Sequence, residues 1–134
     1  MFATNTKFLV VDDFSTFTKM VLQSLKDLGY QNTFKAQDGS AALKLLKEAV
    51  AGGKPFDVVL SDWNMPVLNG LELLQACRKE ESLKNVGFLM ITSEGDQENV
   101  IAAVKAGVND YIVKPFSKQL LSEKLAAVYK RMNK

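Results

Sequence analysis

The sequence predicts an α/β fold in which five parallel strands form an open, doubly wound sheet with five helices on its two faces. Short apolar runs alternate five times with segments whose apolar residues recur at helical spacing. The apolar runs are continuous, which is typical of strands covered on both faces. The 134 residues suit one core, so we expect residues 1–134 to form a single domain.

The first half of the chain contains two strand and helix units. Residues 7–11 form an apolar run that ends at an acidic pair, and Ser15 can cap the helix that follows. Gly29 supplies a left-handed residue to end that helix. Residues 33–36 predict a weaker strand, which a turn joins to an alanine- and leucine-rich helix over residues 40–51. The apolar residues that recur at helical spacing in the first helix are Val21, Leu22, Leu25 and Leu28.

The third and fourth units follow the same plan. Residues 56–61 predict a buried strand, and residues 86–91 predict another. The helix after the second of these strands spans residues 97–106 and ends at Gly107. In the helix between the two strands, Leu71, Leu74 and Cys77 share one face.

The fifth unit closes the pattern. Residues 110–113 predict a strand, after which a turn through Pro115 leads to a helix capped by Ser117. Five units in strict alternation favour right-handed crossovers and a parallel sheet. The core face of the last helix is predicted to consist of Leu121, Leu125 and Val128.

Composition excludes several function classes. The chain has 17 basic and 15 acidic residues without a long basic run, which argues against nucleic-acid binding. Cys77 is the only cysteine, so no internal disulfide can form, and the absence of histidine excludes His-based triads and His metal sites. No segment has the pattern of a signal peptide or a membrane span. We therefore expect a cytoplasmic protein that binds neither nucleic acid nor membrane.

Chemically unusual side chains fall at the carboxyl ends of the predicted strands, where open parallel sheets form ligand sites. Strand one ends in Asp12 and Asp13, strand three in Asp62, strand four in Thr92 and strand five in Lys114. The fold should therefore bring three carboxylates toward one lysine. Carboxylates that repel one another are stabilised when their oxygens bind a hard cation. The cluster therefore predicts a Mg²⁺ site.

This set of residues suits phosphoryl transfer. Asp62 can attack phosphorus and become an acyl phosphate, while Lys114 and a cation neutralise the phosphoryl oxygens and Thr92 donates a hydrogen bond. Taken singly, each residue has an ordinary interpretation: a solvated turn for the acidic pair, a loop cap for Thr92 and a surface position for Lys114. The combination favours the functional interpretation.

Four segments of the chain carry a family resemblance. They are FLVVDDFST at residues 8–16, SDWNMP at residues 61–66 with NGL at residues 69–71, TSE at residues 92–94, and YIVKPF at residues 111–116. Together they resemble the response-regulator receiver family, and within it the chemotaxis response regulators. The resemblance covers nearly the whole chain and implies a flavodoxin-like sheet with the strand order 2-1-3-4-5.

The resemblance implies a role for each site residue. Asp62 would be the phosphoacceptor, with Asp13 and Asp62 binding Mg²⁺ directly and Asp12 helping through water. The backbone carbonyl of Asn64 would complete the protein ligands. Lys114 would contact the phosphoryl group.

The resemblance also implies a conformational switch. After modification Thr92 would move toward the phosphoryl oxygen, and the ring of Tyr111 would rotate into the vacated space. A half-buried aromatic with a wet hydroxyl is the alternative interpretation of Tyr111. Pro115 is expected to follow a cis peptide bond. The implied partner surface on the fourth helix, fifth strand and fifth helix consists of Gln97, Val100, Val104, Tyr111 and Lys124, although the two valines would also suit a core face.

The expected partners follow from the same resemblance. A histidine kinase would donate the phosphoryl group, the flagellar motor switch would bind the modified form, and a phosphatase is a further candidate. Because the chain ends after its fifth helix, we expect its output to pass through noncovalent partners. We also expect a monomer. Residues 17–19 and residues 93–96 depart from the best-known motor binders, which leaves another partner or a phosphate-sink role open.

Two other function classes fit the residues less well. A small aspartyl-phosphate hydrolase would use the same carboxylates, but the chain lacks a cap domain and an Asp-x-Asp spacing at Asp62. A flavin carrier would hold phosphate at the hydroxyl-rich residues 15–18, where Asp12 and Asp13 would repel it. We therefore expect no enzyme activity beyond self-catalysed phosphoryl acceptance and slow autodephosphorylation.

Overall fold

The computed structural model describes residues 2–93 and 97–133, without the side chain of Gln97. Ten elements alternate between strand and helix within these residues. The strands are β1 (Phe8–Val11), β2 (Thr33–Ala36), β3 (Val58–Asp62), β4 (Gly87–Thr92) and β5 (Asp110–Val113). The helices are α1 (Ser15–Asp27), α2 (Gly39–Ala51), α3 (Gly70–Lys79), α4 (Gln97–Lys105) and α5 (Lys118–Met132). No helix in the described part of the chain is long and apolar enough to cross a membrane.

The five strands form one parallel sheet in the order β2-β1-β3-β4-β5. This confirms the doubly wound, flavodoxin-like arrangement. The strand β1 pairs with β2 on one side and with β3 on the other, so the strand order reverses there. In such sheets the crevice beyond the carboxyl ends of the strands at the reversal is the usual ligand site.

Both faces of the sheet carry an apolar core. In β1, Phe8 and Val10 pack in the core formed with α1 and α5, whereas Leu9 and Val11 pack in the core formed with α2 and α3. Every residue of β1, β3 and β4 is buried, which explains their continuous apolar runs. Cys77 packs in the core formed with α2 and α3, and burial raises the pKa of its thiol to about 11. The thiol therefore stays neutral and packs as a small apolar group.

Several local predictions are confirmed. The bounds of β2 and β5 match the predicted strands, and Gly29 and Gly107 have φ angles of +100° and +92° just beyond their helices. The Ser117 hydroxyl accepts a hydrogen bond from the Leu120 amide at 3.0 Å and caps α5. The Lys114–Pro115 peptide bond is cis.

The prediction that Ser15 caps helix α1 is wrong, and the predicted face of helix α3 is buried only in part. Ser15 is the first residue of α1, and the Asp12 carboxylate instead accepts a hydrogen bond from the Phe14 amide at 2.8 Å. In α3, Leu73 is fully buried and Leu71 is only half-buried. Steps of three and four residues both fit a helix face, so the spacing alone did not select between these two leucines.

The loop between β3 and α3 contains a strained residue. Val67 has a φ angle of +70°, and the Leu68 amide donates a hydrogen bond to the Pro66 carbonyl across it at 2.8 Å. This three-residue turn is rare for L residues and is least favourable for a β-branched side chain. Val67 is 81% exposed, so packing does not compensate for the conformation.

Replacing Val67 with asparagine should therefore stabilise the protein. Asparagine tolerates positive φ, and we expect Val67→Asn to raise the free energy of unfolding by about 1 kcal/mol in urea titrations. The matched control is Val67→Thr, which adds polarity but keeps the β-branch and should give no gain. Equal stabilisation by both variants would show that polarity, rather than relief of strain, is responsible.

Candidate functional site

Three carboxylates meet at the carboxyl ends of β1 and β3. Asp12 and Asp13 follow β1 directly, and Asp62 is the last residue of β3. One oxygen from each carboxylate lies within 4.8 Å of the other two. Asp12 and Asp62 are buried and Asp13 is exposed, so the cluster is open to solvent on the Asp13 side. The structure therefore brings together the acidic residues predicted from the strand ends.

Lys114 lies between the two buried carboxylates. Its Nζ atom is 3.1 Å from Asp62 Oδ1 and 3.3 Å from Asp12 Oδ2. The same ammonium lies 4.2 Å from the centroid of the Phe17 ring. The Lys114 backbone amide donates a hydrogen bond to the carbonyl of Thr92 at 2.7 Å, which ties the end of β5 to the end of β4. These contacts fix the cation on the acidic cluster.

Phe17 was not predicted as part of the site. Its ring contacts the Lys114 ammonium on one side and packs edge-on against Phe116, with centroids 5.7 Å apart. An aromatic residue in the first turn of the helix after the acidic pair was the available signal. Its contact with a lysine about a hundred residues away depends on tertiary packing, which the spacing of residues does not reveal.

The electrostatics of Asp62 are unfavourable for a carboxylate. Burial raises the pKa of the Asp62 carboxyl above its ordinary value, the charge of Asp12 raises it further, and Lys114 opposes both effects. Asp62 Oδ1 is also the one buried side-chain nitrogen or oxygen without a hydrogen-bond partner in the described residues. Its contact with Lys114 is an ion pair. A further positive charge near this oxygen would stabilise the ionised carboxylate.

A close backbone approach holds the loop that follows Asp62. The Gly70 amide donates a hydrogen bond to the Trp63 carbonyl at 2.9 Å at the start of α3. A Cβ atom at Gly70 would lie 2.4 Å from the Asp62 carbonyl oxygen and 2.8 Å from the sulfur of Met90. Any side chain there would displace the backbone of the phosphoacceptor candidate, so glycine at this position shapes the site.

Comparison with known proteins identifies the family to which this arrangement belongs. A family model described as the response regulator receiver domain matches residues 8–126. The chain belongs to the response regulator receiver family. This confirms the resemblance carried by the four sequence segments. Receivers are signalling domains of two-component systems that accept phosphoryl groups from histidine kinases, and they are not classical enzymes.

Similar proteins and structures agree with the family match. Chemotaxis protein CheY-3 of Vibrio cholerae serotype O1 is 48% identical over 128 residues, which cover 96% of this chain and 95% of that protein. Chemotaxis protein CheY of Pseudomonas aeruginosa is 44% identical and covers 95% of this chain and 98% of its own length. A solved structure of the chemotaxis response regulator CheY4 of Vibrio cholerae has a TM-score of 0.80 at 37% identity, and the alignment covers 93% and 99% of the two chains.

Receivers bind Mg²⁺ at their acidic pocket, and the donors of this receiver fit a hard cation. The three clustered groups offer only oxygen ligands, and the 4.8 Å limit on their separation is close to the roughly 4.2 Å between opposite ligands of one Mg²⁺. Asn64 lies in the exposed loop two residues after Asp62. Asp12 and Asp13 line a cleft of about 70 Å³, which is far smaller than the roughly 300–1,000 Å³ of pockets for organic ligands. The cleft suits an ion rather than a flavin.

The two predicted switch residues of this receiver lie on the same face of the sheet. In the pairing of β4 with β5, Thr92 is opposite Val113, and Tyr111 is opposite Met90. Positions two residues apart share a face, so Tyr111 lies on the Thr92 face, one step back from the site. Thr92 is buried and Tyr111 is half-buried.

The predicted partner surface of the receiver is partly exposed. Val104 on α4 is 62% exposed, which argues against a core role, whereas Val100 is half-buried. Ile101 is 54% exposed beside them and was not predicted. Lys124 lies on α5 and is half-buried. The side chain of Gln97 and the predicted departure at residues 94–96 lie outside the described residues.

The raised pKa of Asp62 predicts a stability change. Ionisation of this carboxyl opposes folding, so its cost is absent at low pH and present once the pH exceeds the pKa in the folded protein. We therefore expect Asp62→Asn to raise the thermal unfolding midpoint at pH 7 by roughly a few degrees in the absence of divalent cations.

The difference in thermal unfolding midpoint between Asp62→Asn and the wild-type chain should narrow as the pH falls toward 3.8, the ordinary pKa of an aspartate carboxyl. Circular dichroism melts over that range would measure it. The matched control is Asp57→Asn, an exposed acid just before the same strand whose amide can still accept the Lys7 amide hydrogen bond. A lower midpoint for Asp62→Asn than for Asp57→Asn would contradict the electrostatic account.

Proposed function

We propose that this receiver is a phosphorylation switch in which Asp62 accepts a phosphoryl group from a histidine kinase. The observation that carries the proposal is the Lys114 ammonium between Asp62 and Asp12, beside a carboxylate oxygen that has no hydrogen-bond partner. A carboxylate that is buried but reachable from solvent, with a fixed cation beside it, is suited to attack an electrophilic phosphorus. The family match supports the same assignment.

We infer that Asp13 and Asp62 hold Mg²⁺ directly, that Asp12 contributes through water, and that the carbonyl of Asn64 completes the protein ligands. Bound Mg²⁺ neutralises charge on the phosphoryl group as it is transferred. The clustering of the three carboxylates supports this set. Without a cation, three carboxylates would face one ammonium.

In the transfer step, an Asp62 carboxylate oxygen attacks phosphorus while the bond from phosphorus to the imidazole nitrogen of the donor breaks. The bonding electron pair returns to that nitrogen, and Asp62 becomes an acyl phosphate. Lys114 pairs with one phosphoryl oxygen, and the Thr92 hydroxyl donates a hydrogen bond to another. Slow autodephosphorylation reverses the modification when water attacks phosphorus and the Asp62 oxygen leaves as carboxylate.

Acetyl phosphate should modify the protein at Asp62 in the presence of Mg²⁺. We expect intact-mass spectrometry to show one added phosphoryl group per chain and no modification of Asp62→Asn. Removing the Lys114 ammonium in Lys114→Met should slow the modification on the order of a hundredfold, because a charged donor to the transferring group is lost.

Asp57→Asn is the control for this experiment, since it removes an acid at the opposite end of the same strand. Acetyl phosphate should modify Asp57→Asn as readily as it modifies the wild-type chain. Persistence of the added mass in Asp62→Asn would overturn the site assignment. Continuous release of phosphate without a modified protein would instead favour a hydrolase.

We infer further that modification changes a surface of α4, β5 and α5 that binds a partner. Thr92 would move toward the phosphoryl oxygen, and Tyr111 would follow along the sheet face that the two residues share. The exposed apolar side chains of Val104 and Ile101 support a binding role for this surface. Val100, Lys124 and Gln97 are the other proposed members.

The flagellar motor switch is the leading partner. Relatives named as chemotaxis proteins, with identities of 44% and 48% over most of the chain, support a role in chemotaxis. We infer that residues 1–134 act as one receiver domain, which the family match over residues 8–126 supports. We also infer that the domain is cytoplasmic and monomeric. A different partner, or service as a phosphate sink, is the second candidate, because residues 17–19 depart from the motif of known motor binders.

Trp63 fluorescence can test the switch and its partner together, because it is the only tryptophan and adjoins Asp62. We expect beryllofluoride, which stands in for the phosphoryl group, to change Trp63 emission and to tighten binding of an N-terminal motor-switch peptide. Val104→Ala should weaken that binding by roughly three- to tenfold, because apolar contact area is lost.

Phe34→Ala is the control for the peptide titration. Phe34 is an exposed apolar residue on β2, at the opposite edge of the sheet from β5, and its truncation should leave peptide binding unchanged. If Trp63 responds and peptide binding does not change, the chain is a receiver with another output. Absence of any Trp63 response would contradict the phosphorylation switch.

A further inference from the structure

A buried carboxylate begins the strand that carries Tyr111. Asp110 is only 7% exposed, and its Oδ1 atom accepts a hydrogen bond from the Tyr111 amide at 2.8 Å. The ammonium of Lys124 lies 3.5 Å from Oδ1, and the guanidinium of Arg131 lies 3.5 Å from Oδ2. Asp110 therefore has cations from α5 at both of its oxygens, and neither cation belongs to the phosphorylation site.

The Lys124 ammonium also lies on the ring of Tyr111. Nζ is 5.0 Å from the ring centroid, within the range of a cation–π contact. Helix α5 packs on the opposite face of the sheet from Tyr111. The strand β5 is the edge of the sheet, so Lys124 reaches the ring around that edge. The carboxylate of Asp110 supplies the charge that holds the ammonium there.

This arrangement differs from an ordinary surface ion pair. The side chain of Asp110 is 8% exposed and that of Lys124 is 28% exposed. By contrast, the pair between Lys118 on the same helix and Asp27 on α1 has side chains that are 53% and 42% exposed, with a separation of 3.7 Å. Exposed pairs of the second kind have little effect on conformation. Because Asp110 is partly desolvated, its electrostatic attraction for the Lys124 ammonium is stronger.

We propose that Asp110 is a positioning residue that holds the Lys124 ammonium against Tyr111 and thereby favours the ring position of this structure. The proposal rests on the proposed function, in which Tyr111 moves after modification of Asp62. Movement of the ring toward Thr92 would separate it from Lys124, so the contact opposes the switch. Cation–π contacts at partly exposed sites change an equilibrium by about two- to fivefold.

Fluorine NMR of protein labelled with 3-fluorotyrosine would test the position of the ring. The chain has three tyrosines, and single replacements by phenylalanine would assign the Tyr111 signal. Asp110→Asn and Lys124→Met should each shift the Tyr111 signal while those of Tyr30 and Tyr129 stay in place. Lys124→Arg should retain most of the original Tyr111 signal, because arginine keeps the cation above the ring.

Beryllofluoride titrations with Trp63 emission would test the consequence for the switch. Asp110→Asn and Lys124→Met should each lower the half-saturating concentration by about two- to fivefold. Combining them should add little, because both remove the same contact. Asp27→Asn is the matched control and should change neither readout. If Asp110→Asn fails to fold, Lys124→Met still decides, since Arg131 and the Tyr111 amide remain on Asp110.

The outcomes separate this inference from the proposed function. An unchanged Tyr111 signal in Lys124→Met would overturn the positioning role, whatever beryllofluoride does. An unchanged half-saturating concentration in a protein whose Trp63 still responds would overturn the link between the contact and the switch. Absence of a Trp63 response in every variant would remove the proposed function, and the Tyr111 signals would still decide whether Asp110 positions the ring.

Discussion

The site depends on the repulsion among three clustered carboxylates, two of which pair with one ammonium. Asp12 and Asp62 are buried within reach of Lys114, and the pKa of the Asp62 carboxyl is raised because the group is desolvated and next to a like charge. A carboxylate with a raised pKa does not stabilise the fold when it is ionised, but its energy changes readily when a nearby charge changes. Any event that adds a cation or changes the charge at Asp62 alters the balance at Lys114, and the surrounding structure determines how far that change travels.

Close backbone contacts hold together the strand ends around the acidic cluster. Gly70 brings the start of α3 against the carbonyl of Asp62, and the Trp63 amide donates a hydrogen bond to the Ile91 carbonyl at 2.9 Å. The Lys114 amide bonds to Thr92 on the other side of the site. Backbone hydrogen bonds therefore join the ends of β3, β4 and β5 directly. In the proposed switch, this would give a change at Asp62 a short route to β4 and β5.

Much of this arrangement could be predicted from the sequence. Continuous apolar runs define buried strands, and parallel strands align their carboxyl ends, which was enough to bring Asp12 and Lys114 together. The contacts made by long side chains between distant elements could not be predicted. Phe17 under Lys114 and Lys124 at Asp110 depend on the tertiary packing of the two helices that cover one face, and residue spacing carries no information about it. Local periodicity was also insufficient where steps of three and four residues competed.

In the proposed switch, the position of β5 would let a change in charge become a change in surface. β5 is an edge strand, hydrogen-bonded to β4 alone, and it carries Tyr111 near its start and is followed by Lys114 at its end. A strand with one neighbour can shift with fewer broken hydrogen bonds than a strand with two. A conformational change nevertheless requires a difference in interaction free energy between the two states. In the proposed switch, that difference would come from the carboxylates at one end of β5 and from the contacts of Asp110 and Lys124 at the other.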